Sequence, residues 1–251
     1  METKIFKFIG ADHKVGTTML TRSIADSLKE NAKNKTVLVM HLNADPSNLY
    51  VKEIQQGGID GILDKLQTHV IEKGDIQRQL IEDGNIYTLY GPQSSDFAAM
   101  YQPEYVDEIL ALLDGSFDII LIDAGADIYF NGLSVGAYNC KGMNILVTTQ
   151  QEASYETYLR RYTQCYSRLE NVLDLMIINK FTYGSGHVIT SERETIGRYG
   201  FDDCYLVRSH PAGLQAEADH KTLYSFGKAS KAYIKDIDDI ATEIIMGEGN
   251  R

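Results

Sequence analysis

Long apolar runs are missing from this 251-residue sequence. A membrane-spanning helix needs roughly 20 consecutive apolar residues, and every run here falls far short of that. The N-terminus also lacks the basic-then-apolar layout of a signal peptide, so a cytoplasmic protein is expected. Cysteine is scarce. Cys140, Cys165 and Cys204 are widely spaced, show no metal-ligand pattern, and suit a reducing compartment as small buried hydrophobes. Prolines number only 4, none in a cluster, and no repeat, linker or low-complexity stretch is visible. One continuous domain over residues 1–251 is the expectation. Positive charge is short as well: 24 Lys and Arg face 35 Asp and Glu, a net charge of −11. Sequence-independent DNA binding needs cations that neutralise phosphates. The few available are Arg160-Arg161, Arg198, Lys228 and Lys231, so strong DNA binding is not expected. The last helical stretch, about Lys228 to Met246, is acidic through Asp236, Asp238, Asp239 and Glu243, which argues against a direct membrane anchor.

What the chain does contain is alternation. Apolar strand-like segments occur at Lys4–Ile9, Thr36–Leu42, Ile86–Tyr90, Phe117–Ile122, Asn144–Thr149, Leu175–Lys180 and Tyr205–Arg208. Helical patterns lie between them, including Leu20, Ile24 and Leu28 on one face, Gly58 to Leu66, Glu104 to Leu113, and about Glu152 to Leu173. The tyrosines and leucines of that last helix (Tyr155, Tyr158, Leu159, Tyr162, Tyr166, Leu169) read as a core or partner-facing stripe. Gln93 to Gln102 reads as a polar loop. Such alternation predicts an α/β, doubly wound, mostly parallel sheet with helices on both faces and a ligand site at the carboxyl ends of the strands.

Two stretches carry chemistry. The first is Phe8 to Met19, a strand, a glycine-containing turn and a helix start, the frame of a phosphate-binding loop. Against the usual Gly-x4-Gly-Lys-Thr/Ser, it has Ala11, Gly16, Thr17 and Thr18: one glycine and the lysine are gone, while the second glycine and the hydroxyl remain. The second is Phe117 to Gly125, an apolar strand ending in Asp123-Ala124-Gly125. A carboxylate at that edge can hold a water of a Mg²⁺ shell (the Walker B form); the plainer reading is a helix-capping Asp at a strand end.

Together these motifs resemble the deviant Walker A loop and Walker B strand of the MinD/ParA family of P-loop ATPases. The family's Lys-Gly-Gly-Val-Gly-Lys-Thr-Thr aligns on Val15-Gly16, which puts its two lysines at Asp12 and Thr17 and its Mg²⁺-binding threonine at Thr18. The resemblance implies ATP or ADP held by Lys14, Val15, Gly16, Thr17 and Thr18, with Mg²⁺ at Thr18 and Asp123. It also implies Asn179 at the adenine edge and Pro211 in a loop closing over the base, where His210 replaces the family's Asp. As a strand-end residue, Asn179 also reads as a turn former. At the family's Asp-x-Asp, which orients the attacking water, this sequence has His41 and Asn43. Asp45 could supply a shifted carboxylate, or open a solvated turn with Pro46. Within the family these departures point to the TadZ/CpaE group, atypical ATPase-like proteins that help localise and assemble the Flp (Tad) pilus machinery. Weak nucleotide binding, little or no hydrolysis, a homodimer and protein partners of a polar or pilus assembly are what that implies. The alternative is an active ParA-type ATPase that partitions a chromosome or plasmid.

Overall fold

The computed structural model describes residues 3–43, 58–126, 131–164, 173–184 and 204–247. Eight strands form one sheet: β1 (Lys4–Gly10), β2 (Val37–His41), β3 (Ile81–Asp83), β4 (Ile86–Leu89), β5 (Ile119–Gly125), β6 (Met143–Thr148), β7 (Leu175–Phe181) and β8 (Cys204–Arg208). Their order across the sheet is β3-β4-β2-β5-β1-β6-β7-β8, and every pairing is parallel except β3 with β4. The expected mostly parallel, doubly wound sheet is what the chain forms. β3 is an addition at the edge, three residues long and largely exposed, too short to show an alternation in sequence.

The helices are α1 (Thr17–Asn31), α2 (Leu63–Gln67), α3 (Lys73–Gln77), α4 (Ser95–Ala98), α5 (Glu104–Leu113), α6 (Gly132–Asn139), α7 (Glu152–Gln164), α8 (Gly213–Ala218) and α9 (Lys231–Asp239). A π-helical segment, Ile240–Met246, continues α9. Within the expected polar loop Gln93 to Gln102 lies α4, started by Ser94, whose hydroxyl accepts from Phe97 N–H. The expected Gly58–Leu66 helix begins as a 3₁₀ turn, Ile59–Ile62, and continues as α2. Ser230 caps α9 by accepting from Tyr233 N–H, so that helix starts later than its composition suggests. Residues 165–172 lie outside the described part, and with them Tyr166 and Leu169 of the expected stripe. Cys140 is buried as expected and Cys204 only half-buried, while Cys165 is not among the described residues.

Because strand side chains alternate between faces, each strand feeds two cores. Ile5, Ile9, Leu38, Met40, Ile120 and Ile122 pack on one side with α2, α5 and α6. Phe6, Phe8, Val37, Val39, Ile119 and Leu121 pack on the other with α1 and α9. Lys7 falls among the first set at zero exposure. Its ammonium donates to the carbonyls of Tyr138 (3.1 Å) and Cys140 at the end of α6, and burial pushes its pKa below the ordinary lysine value. The alternation also places the site. On β2 and β5 the α1-facing positions run Val37, Val39, His41 and Ile119, Leu121, Asp123, so a polar residue follows the apolar ones on each strand, and Asp123 meets the first turn of α1.

Candidate phosphate-loop site

The loop between β1 and α1 turns on two residues with left-handed backbone, Lys14 (φ 63°) and Gly16 (φ 89°). Glycine at position 16 is required twice over. A Cβ there would sit in the left-handed region and 2.7 Å from Asn179 Nδ2. No side chain caps the N-terminus of α1, so its first N–H groups remain available for an anion. The first helical residue, Thr17, is buried.

Thr18, one residue further on, points at the end of β5. Its hydroxyl donates to Asp123 Oδ2 at 2.6 Å. The pair that sequence reasoning brought together, separated by 105 residues, is therefore in direct contact. Two more side chains converge on the same oxygen: His41 Nδ1 at 3.2 Å and Asn43 Nδ2 at 3.0 Å. The other carboxylate oxygen accepts from Gly125 N–H at 3.2 Å. Asp123 and His41 are completely buried. Burial pushes the His41 pKa below the ordinary histidine value despite the neighbouring carboxylate, so the ring is neutral and its Nδ1 carries the proton. Tyr90 stacks on that ring at 5.8 Å.

From the far side, β7 is stapled to the loop. Asn179 Nδ2 donates to the Val15 carbonyl at 2.9 Å, and its Oδ1 accepts from Lys180 N–H. Lys180 Nζ donates to the Lys14 carbonyl at 2.6 Å. Lys14 itself is exposed at the loop's crest. Arg161 of α7 comes from beneath, donating to the carbonyls of Ala11 (2.9 Å) and Gly10 (3.4 Å). Pro211 is exposed just beyond β8, and His210 Nδ1 accepts from Ala212 N–H. Asp45 is outside the described residues.

Solved structures share this architecture along nearly their whole length. A ParA family ATPase from Chlorobium tepidum superposes with a TM-score of 0.77 at 16% identity, over 95% of this chain and 97% of that one. MinD of Aquifex aeolicus gives 0.77 at 16% identity, over 99% of each chain. MinD of Pyrococcus horikoshii, solved as a complex with Mg-ADP, gives 0.74 at 17% identity over 98% of each. This chain has the ParA/MinD fold. No protein-family model matches its sequence, and no curated protein does.

The polar groups of this chain's site differ in what they offer a ligand. Thr18 offers an oxygen that suits Mg²⁺, a hard cation bound by oxygens. Asp123 accepts from the protein's own donors, three on Oδ2 and one on Oδ1. Among the described residues no group of three or more His, Cys, Asp or Glu side chains is placed to hold a metal. The uncapped N–H groups at the start of α1 suit an anion.

Lys180 and Arg161 are the site residues that sequence reading missed. Lys180 had a signal in its place beside Asn179. Arg161 had none: its sequence neighbourhood suggests a surface basic pair, yet it is only 7% exposed and lies under the loop. The same contact removes it from any DNA-binding surface.

Proposed function

We propose that this chain is an atypical nucleotide-binding switch or scaffold built on the ParA/MinD fold, with little or no ATP hydrolysis. The observation that carries the reading is the first turn of α1. The loop keeps a backbone cradle, the left-handed Gly16 and the hydroxyl of Thr18, but a buried threonine, Thr17, stands where a catalytic cation would. A unit charge about 4 Å from a phosphate oxygen is worth roughly 4 kcal/mol at an effective dielectric near 20, before desolvation. Charge grows on those oxygens in the transition state, so its loss slows turnover by orders of magnitude while ground-state binding survives on N–H groups. ATP or ADP is the ligand class, with Asn179 beside the base and Lys14 against a phosphate.

A chain that binds but hardly hydrolyses works by recruitment. The biological role we propose is localisation or assembly of a larger protein complex, of the TadZ/CpaE kind at a Flp/Tad pilus or secretion system, through a homodimer and protein partners. The net charge of −11 and the burial of Arg161 support this over chromosome or plasmid partitioning, which requires DNA as a track. Calorimetric titration with ATP and ADP tests the reading. The expected result is saturable binding, weakened in Lys14→Ala. Absence of binding for both nucleotides overturns it.

A further inference from the structure

Asp123 is the one carboxylate among the described residues that meets the loop's threonine, and the oxygen that meets it, Oδ2, is filled. A carboxylate offers about four lone-pair sites. Here Oδ2 accepts from Thr18 Oγ1, His41 Nδ1 and Asn43 Nδ2, and Oδ1 accepts from Gly125 N–H. We infer that this site takes its nucleotide without a divalent cation, the N–H groups of His41 and Asn43 having replaced a metal's hydration shell as partners of Asp123. The inference rests on the nucleotide-binding reading above and concerns the form in which the ligand arrives.

The donors differ in how readily they could give way. Thr18 can rotate its hydroxyl off Asp123 and turn a lone pair toward a cation, at the loss of one hydrogen bond. His41 cannot. Its ring is completely buried, stacked on Tyr90, and its other nitrogen, Nε2, has no hydrogen-bond partner among the described residues. Rotating it away from Asp123 would leave a buried N–H without an acceptor. Asn43 is similarly fixed. It is 7% exposed, and its Cβ lies 2.5 Å from where a Cβ on Gly125 would be, so the last residue of β5 closes against it. A magnesium ion is held through one or two carboxylates and keeps several waters, each of which needs an acceptor. The acceptors left open beside Asp123, Asn43 Oδ1 and His41 Nε2, are neutral and belong to the two residues that already hold Asp123. The negative charge of Asp123 is balanced instead by four hydrogen bonds. The ligand's phosphates are then left to the N–H groups of the loop and of α1, with the exposed ammonium of Lys14 nearby.

The test compares nucleotide affinity of the full chain in EDTA and in excess MgCl₂, by calorimetry and by fluorescence of a mant-labelled ADP. The expected result is a Kd that Mg²⁺ tightens by less than threefold. Asn43→Asp, nearly isosteric, exchanges a donor for an acceptor and is expected to make Mg²⁺ tighten binding tenfold or more. Mn²⁺ paramagnetic resonance of the wild type with ADP should show no protein-bound ion beyond the Mn-ADP signal. Tightening by Mg²⁺ of threefold or more in the wild type, or a protein-bound Mn²⁺ signal, overturns the inference and leaves the nucleotide-binding reading standing. Indifference of a folded Asn43→Asp to Mg²⁺ also overturns it. Should that variant not fold, the wild-type comparison and the Mn²⁺ spectrum decide. Absence of nucleotide binding in both buffers removes the binding reading itself, and this inference with it.

Discussion

At the scale of single residues, the site is set by a few positions whose alternatives are excluded by geometry. Gly16→Ala puts a Cβ into the left-handed region and against Asn179. Strain of that kind costs about 1–3 kcal/mol, so urea denaturation should show a loss in that range, together with weaker nucleotide binding as Asn179 is pushed off the Val15 carbonyl. Arg161→Met keeps the bulk of the side chain but leaves the Gly10 and Ala11 carbonyls without their donor. Buried acceptors left unpaired cost about 1–3 kcal/mol, which a denaturation midpoint will report, and faster amide exchange in the loop should accompany it. Thr18 and Asp123 were legible in the sequence because each belongs to a local pattern, a helix start and a strand end. Arg161 was not: its contact spans 150 residues, and helical spacing alone does not say which face of α7 packs inward. The partners of Asp123 were half legible. His41 and Asn43 could be located as replacements for acidic residues, but their convergence on one oxygen follows from the register of β2 on β5, which pairs His41 with Asp123.

At the scale of elements, the junction of β1 with the end of α6 has its own pH signature. Burial pushes the Cys140 thiol up to about 11 from its ordinary 9.0. A group whose folded pKa is raised contributes stability that is intact below its unfolded pKa and is lost as pH rises through the folded value. Stability should therefore fall between pH 9 and 11, and Cys140→Ser should flatten that fall by about 2–3 kcal/mol, since each pKa unit is worth about 1.4 kcal/mol. The depressed pKa of Lys7 acts with the opposite sign, but Lys7 is present in both proteins, so their difference reports the thiol. Denaturation curves at pH 8, 9, 10 and 11 check this; parallel losses in the two proteins would contradict it. The long buried strands were readable because continuous apolar runs bounded by turns have few other interpretations. The short elements were not. β3 and α4 have three and four residues, too few for a period, and they form because neighbours hold them: β4 pairs with β3, and Ser94 caps α4.

At the scale of the whole molecule, charge and fold pull apart. Sixteen to seventeen per cent identity with ParA and MinD structures accompanies nearly full-length superposition, so the fold is shared although little of the sequence is. Among the described residues no helix is long and apolar enough to cross a membrane. The net charge of −11 predicts no retention of random duplex DNA at physiological salt, measured by gel shift; micromolar binding there would favour the partition reading. A ligand-dependent homodimer is the expected form of the switch, to be read by light scattering with and without ATP. The central claim, that this loop holds nucleotide without consuming it, is tested most directly by phosphate release from saturating ATP, in wild type and Asp123→Ala. The account predicts turnover orders of magnitude below about 1 per second, the low end of ordinary enzymes, and no measurable change on mutation. Turnover near 1 per second that Asp123→Ala abolishes would contradict it.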